Sequence, residues 1–237
     1  MNPLRILLPA ISLGLLSAAA QATTIAAYYT PEQVVIAADT RASLANGGVA
    51  SDQTCKLHKF GNGIITLTGW ENAGAVRVIP AIIEACKGAT TTQERTAIAG
   101  QVLSGLAQHF TAADFNLKYP PAITVLIADS GADGMRLVTV EARYALREGQ
   151  PVVTMIDTRQ TTPANYRRQG QSVVLGPARA TALGKIPGFW LNATPQQAVA
   201  QVVKVGMSDI GTGGDIDLVI LTQAGLKHSI INPANIR

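Results

Sequence analysis

Thr23 is the first residue of this chain whose position could give it chemistry. It follows Ala20-Gln21-Ala22, a small-x-small box of the kind that signal peptidases cut. The 22 residues ahead of it have the parts of an export leader: Arg5 as a positive start, then an apolar stretch from Ile6 to Ala19 broken by Pro9 and Gly14. Cleavage after Ala22 would leave Thr23 with a free α-amine, whereas a second box, Ala18-Ala19-Ala20, would leave Gln21 first. A threonine hydroxyl does not ionise near neutral pH and needs a base within hydrogen-bond reach. At a chain terminus the residue's own α-amine, with a pKa of about 7.7 to 8.0, can be that base.

The segments that follow form a pattern. Thr23-Thr24-Ile25-Ala26-Ala27 leads to Ala37-Ala38-Asp39-Thr40-Arg41-Ala42, with Asp39 sixteen residues after Thr23. Gln53-Thr54-Cys55-Lys56, Ile64-Ile65-Thr66-Leu67-Thr68-Gly69 and Asp209-Ile210-Gly211-Thr212-Gly213-Gly214 follow in that order. This series resembles the N-terminal nucleophile hydrolases and, within them, the proteasome β-type peptidases. The likeness spans most of residues 23 to 222 and is densest from Thr23 to Gly69. Lys56 falls one residue later than in typical proteasome subunits, and Thr212 stands where the family has serine.

The resemblance implies a role for each position. Thr23 would be the nucleophile. Lys56 would be the cation that lowers the amine pKa, and Asp39 the anion that holds Lys56 in place. Gly69 would offer a backbone N–H to the developing oxyanion, and Asp209 and Thr212 would orient the amine. Thr54, Leu67 and Glu71 would line the pocket beside Thr23, Glu71 hinting at a basic substrate residue. The activity implied is hydrolysis of an amide or peptide bond, that of an exported, periplasmic or secreted threonine protease needing no cofactor. A small-molecule amidase or acylase, and an inactive relative that binds or assembles, stay open beside it. A glycine closing a strand also serves any turn, and Gly211 to Gly214 also suits a helix exit. The family's further active-site serine has no clear counterpart; Ser172 and Gly176 are the nearby candidates.

Composition excludes other classes. The net charge is +4, from 19 Lys and Arg against 15 Asp and Glu, and the basic residues are scattered. With only 5% aromatic residues, nothing suggests a nucleic-acid partner. Beyond the leader no apolar stretch is long enough to span a bilayer, so no membrane association is expected after its removal. His58, His109 and His228 lack metal-ligand spacing, no Cys-x-x-Cys occurs, and Gly-x-Ser-x-Gly is absent. Cys55 and Cys86 are either a disulfide pair or two thiols. Ring assembly is a family habit, but no interface helix is recognisable, so a homo-oligomer stays open.

The elements that must position these residues can be read from pattern. Strands are expected over about 24–29 and 33–41, separated by Thr30-Pro31-Glu32, and over about 54–60 and 64–68, joined through Gly61-Asn62-Gly63. Apolar spacing predicts a helix from Glu71 to about Ala85, with Pro80 kinking or restarting it. A second helix follows Thr90-Thr91-Thr92-Gln93-Glu94, burying Ile98, Val102, Leu103, Leu106 and Phe110. Further strands are expected over about 122–128, 136–140 and 151–156, then a polar loop over 158–172. A helix from Pro195 to about Met207, a strand over 216–221 and a last one from Gly225 complete the chain. That order is α+β in one domain from residue 23 to 237. The resemblance makes it a four-layer αββα sandwich, two stacked antiparallel sheets flanked by helices.

Overall fold

Continuous apolar runs at Ile25–Tyr29 and Val34–Ala38 become strands covered on both faces, at the centre of one of the two large sheets. The computed structural model describes residues 20–21, 23–30, 32–43, 49–117, 119–131, 134–161, 171–186, 188–208 and 212–236. In chain order the strands are β1 (Ala20–Gln21), β2 (Ile25–Tyr29), β3 (Gln33–Asp39), β4 (Ala42–Ser43), β5 (Val49–Ser51), β6 (His58–Phe60), β7 (Gly63–Trp70), β8 (Asn72–Ala73) and β9 (Val76–Arg77). After helices α1 (Val78–Ala85) and α2 (Thr92–Gly105) come β10 (Ala122–Gly131), β11 (Gly134–Arg147), β12 (Gln150–Thr161) and β13 (Gln171–Leu175). Helices α3 (Ala178–Gly184) and α4 (Pro195–Gly206) precede β14 (Ile216–Thr222) and β15 (Gly225–Ile231).

Two large antiparallel sheets result. One runs β1-β7-β10-β11-β12, with β6 also paired to β7, and the other runs β13-β2-β3-β14-β15. Side chains alternate across each strand, so the apolar runs feed two faces. Ile25, Ala27, Tyr29, Ile36 and Val219 of the second sheet meet Ile64, Leu126 and Leu137 of the first. Ala26, Tyr28, Val35 and Ala37 instead meet Val199, Val202 and Val203 of α4. On the far side of the first sheet, Ile65, Leu67, Ile123 and Val125 pack against Val78, Ile82 and Leu103 of α1 and α2. The Tyr29 hydroxyl crosses the middle layer and donates to the Met135 carbonyl at 2.6 Å, satisfying a buried polar group between the sheets.

Several expectations need correction. Helix α1 starts at Val78, not Glu71, because Asn72–Ala73 and Val76–Arg77 fold into a small hairpin first. Pro80 then lies in the first helical turn, where its missing N–H breaks no bond, so no kink is required. Residues 54–57 make no ladder; of the expected strand only His58–Phe60 pairs with β7. Strands β11 and β12 are far longer than expected and meet at a tight turn where Glu148 and Gly149 both have positive φ, 52° and 78°. Part of the expected 158–172 loop is strand, since β12 reaches Thr161 and β13 begins at Gln171. Both cysteines are free thiols: Cys86 is buried under α2, whereas Cys55 is exposed. No helix among the described residues is long and apolar enough to cross a membrane.

Candidate active site

Strand β3 delivers Asp39 at its last position, and the chain just ahead of β2 delivers Thr23 opposite it. The register Ile25↔Ala38 aligns the two ends, and the Asp39 N–H donates to the Thr24 carbonyl at 3.3 Å. Lys56 arrives from the segment between β5 and β6, which joins no strand ladder. Its Nζ donates to Thr23 Oγ1 and to Asp39 Oδ2, each at 3.1 Å. All three residues are buried: Thr23 and Asp39 are 0% exposed and Lys56 is 5%. A carboxylate removed from water needs donors, and Asp39 has two besides Lys56, the N–H of Thr24 at 2.7 Å and of Gly213 at 3.2 Å.

Burial pushes the Asp39 carboxyl above its ordinary range, opposed by the Lys56 charge and the amide donors. Burial likewise lowers the Lys56 pKa, opposed first by Asp39 and, more weakly, by the charge of Glu71, while Arg41 adds to the lowering. Each partner thus keeps the other ionised. The arrangement presents the Lys56 ammonium to a threonine hydroxyl, as a nucleophile needs if its proton is to leave.

Gly69 lies at the penultimate position of β7, with φ at 99°. A Cβ there would sit 2.0 Å from the Ala122 carbonyl oxygen, so only glycine lets β7 and β10 close at this point. Across the other edge, Gln21 pairs with Gly69 and Ala20 with Trp70, so Ala20–Gln21 run along the strand that carries the oxyanion candidate. Thr212 is buried, and its hydroxyl donates to the Gly206 carbonyl at 2.6 Å, while its neighbour Gly213 supplies the N–H on Asp39. Asp209 lies outside the described residues.

The expected pocket residues divide. Thr54 is held by its N–H on the Thr40 carbonyl at 2.8 Å and is half-buried. Glu71 accepts from the Val78 N–H through its carbonyl, and its charge reaches Lys56 and His58. Leu67 packs in the cluster beneath α1 and α2, on the opposite face of β7 from Thr68. Ser172 is on β13, opposite Tyr28. Gly176 follows that strand and passes so close to Thr23 that a Cβ would lie 2.8 Å from its carbonyl oxygen.

Sequence reasoning missed several supports. Thr68 Oγ1 donates to the Thr23 carbonyl at 3.1 Å; its alternation with Leu67 on β7 was the available signal. Arg41 pairs with Asp52, donates its backbone N–H to the Gly213 carbonyl at 3.1 Å, and bonds the Thr212 carbonyl at 3.2 Å through Nη1. It lashes the glycine loop to the end of β3, which no local pattern announces. Among the described residues, no group of three or more His, Cys, Asp or Glu could hold a metal ion. No protein-family model and no curated protein matches this sequence.

Proposed function

We propose that this chain is an exported N-terminal nucleophile hydrolase, with the four-layer αββα sandwich of that fold, cleaving amide or peptide bonds through an acyl-enzyme on Thr23. One observation carries the reading: a buried lysine ammonium lies 3.1 Å from both the Thr23 hydroxyl and the Asp39 carboxylate. With the leader removed, the Thr23 amine takes the hydroxyl proton as Oγ1 attacks the scissile carbonyl. The tetrahedral oxyanion forms against the Gly69 N–H. Collapse breaks the C–N bond, and the proton on the amine leaves with the departing nitrogen. Water, activated by the same amine, then hydrolyses the ester and restores the hydroxyl. The substrate is a peptide or amide, and the compartment is periplasmic or extracellular.

In the full-length chain the Thr23 nitrogen is an amide, which has no basic lone pair at neutral pH. That favours a second reading, an unprocessed chain that binds or assembles without turnover: Ala20–Gln21 still cover the edge of β7 beside Gly69. The test is to compare protein beginning at Thr23 with protein retaining one residue ahead of it. Turnover and reaction with an epoxyketone should be confined to the first form. An extended form with full activity would exclude the mechanism.

A further inference from the structure

Asp217 is a buried carboxylate that this chemistry does not use. It lies on β14, 1% exposed, among the apolar side chains between the sheets. Its Oδ2 accepts from the Leu57 N–H at 3.4 Å and from the Cys55 thiol at 3.5 Å, the two neighbours of Lys56. Its Oδ1 contacts Nε2 of His228 on β15, a half-exposed ring that secures the carboxylate from the solvent side.

The setting makes those contacts consequential. Residues 52–57 pair with no strand, so nothing in a ladder sets where Lys56 points. Upstream the segment is tied by Thr54 N–H to the Thr40 carbonyl at 2.8 Å and by Thr40 Oγ1 to the Asp52 carbonyl at 2.6 Å. Downstream, before β6 begins, the backbone N–H next to Lys56 goes to Asp217. Asp217 is the cross-strand partner of Ala38, the residue before Asp39. One strand pair therefore carries both the anion that binds the Lys56 ammonium and the carboxylate that ties its backbone.

We propose that Asp217 is a positioning residue for Lys56, fixing the lysine through Leu57 and Cys55 so that its ammonium meets Thr23 and Asp39 together. This deepens the hydrolase reading and rests on it for its effect on rate, but the placement of Lys56 stands apart from turnover. A misplacement of about 1 Å can cost roughly a hundredfold in rate.

The experiment uses processed protein with Asp217→Ala, Asp217→Val, which suits an apolar strand site should the alanine variant fold poorly, and Asp217→Asn, which keeps an acceptor for the Leu57 N–H. The first two should lose about tenfold or more in kcat with KM little changed, and the acid limb of the rate profile should move to higher pH as the amine loses its nearby cation. The asparagine variant should keep most of the rate. Independently of turnover, the sheltered Lys56 ammonium signal in 15N–1H NMR should broaden or disappear in Asp217→Ala and persist in Asp217→Asn. Wild-type protein without turnover, but with this NMR pattern, would sink the hydrolase reading and leave the positioning role standing. Unchanged kcat and an unchanged Lys56 signal in a folded Asp217→Val protein would overturn the proposal, as would equal damage from asparagine and alanine.

Discussion

On the proposed mechanism, replacing Lys56 by alanine in protein that begins at Thr23 removes two separable effects, and their sizes can be worked out. The first is the pull of the ammonium on the Thr23 amine. With a pKa near 7.7, roughly one amine in six is neutral at pH 7; a drop of one unit raises that to roughly two in three, so losing the cation costs about fourfold. The second is the charged hydrogen bond to Thr23 Oγ1, 3.1 Å long and buried. Such bonds are worth about 1.5–3 kcal/mol, or roughly 10- to 150-fold in rate. Together they predict a fall in kcat of roughly 40- to 600-fold at pH 7. At pH 9 both amines are neutral, so the fourfold part should vanish and the rest persist. Asp39, left without its counter-charge in a fully buried place, should also cost about 3 kcal/mol of stability. Steady-state kinetics on a quenched peptide at both pH values, with urea titrations to check folding, make the measurement. A Lys56→Ala enzyme keeping more than about a tenth of its kcat at pH 7, or recovering fully at pH 9, would refute the assigned role.

Three further outcomes are expected. If signal peptidase makes the terminus, Thr23→Ala protein exported from cells should begin at residue 23 just as wild type does, read by N-terminal sequencing; a retained leader in that variant alone would mean self-cleavage. Gly69→Ala should destabilise the fold by at least about 3 kcal/mol in urea, since the added methyl meets the Ala122 carbonyl at 2.0 Å on a backbone of positive φ; a wild-type midpoint would contradict the close approach of β7 and β10. The Asp39–Lys56 pair should mark the pH dependence of stability. Asp39 is raised above 3.8, so the folded chain binds the extra proton just above that pH and stability falls as pH rises through the window. Lys56 is lowered below 10.5, so the unfolded chain binds the extra proton there and stability rises again toward 10.5. Urea midpoints of wild type minus those of Asp39→Asn/Lys56→Met should trace that dip, and a flat difference would rule it out.

Local pattern was enough for much of the framework. The Thr91–Glu94 capping box starts α2, and the Thr194–Gln197 box, with Pro195 at the first helical position, starts α4, because these interactions close within four residues. The apolar runs of β2, β3 and β14 needed only their composition to be read as buried strands. Pattern failed where neighbours decide. Glu71 to Arg77 has helical spacing but folds as a hairpin, with Gly74 at positive φ against the His109 carbonyl. Residues 141–147 alternate weakly on their own, yet join a fourteen-residue strand because β12 pairs along all of them and β10 pairs with the first three.

The same division runs through the site. Thr23, Asp39 and Lys56 could be proposed from the sequence, because each stands in a short string that resembles those of the N-terminal nucleophile hydrolases. That they touch depends on the Ile25↔Ala38 register and on a segment outside any ladder whose Leu57 packs between the sheets, contacts between residues 17 to 33 positions apart. The Gly213 N–H on Asp39 comes from 174 residues away, and Asp217 reaches Leu57 across 160. No local rule encodes such contacts: hydrogen bonds and buried charges are satisfied by whatever the packed layers bring within about 3 Å. Sequence alone therefore offered the candidate groups, and the register within one sheet together with the packing of the segment that carries Lys56 decided which of them meet.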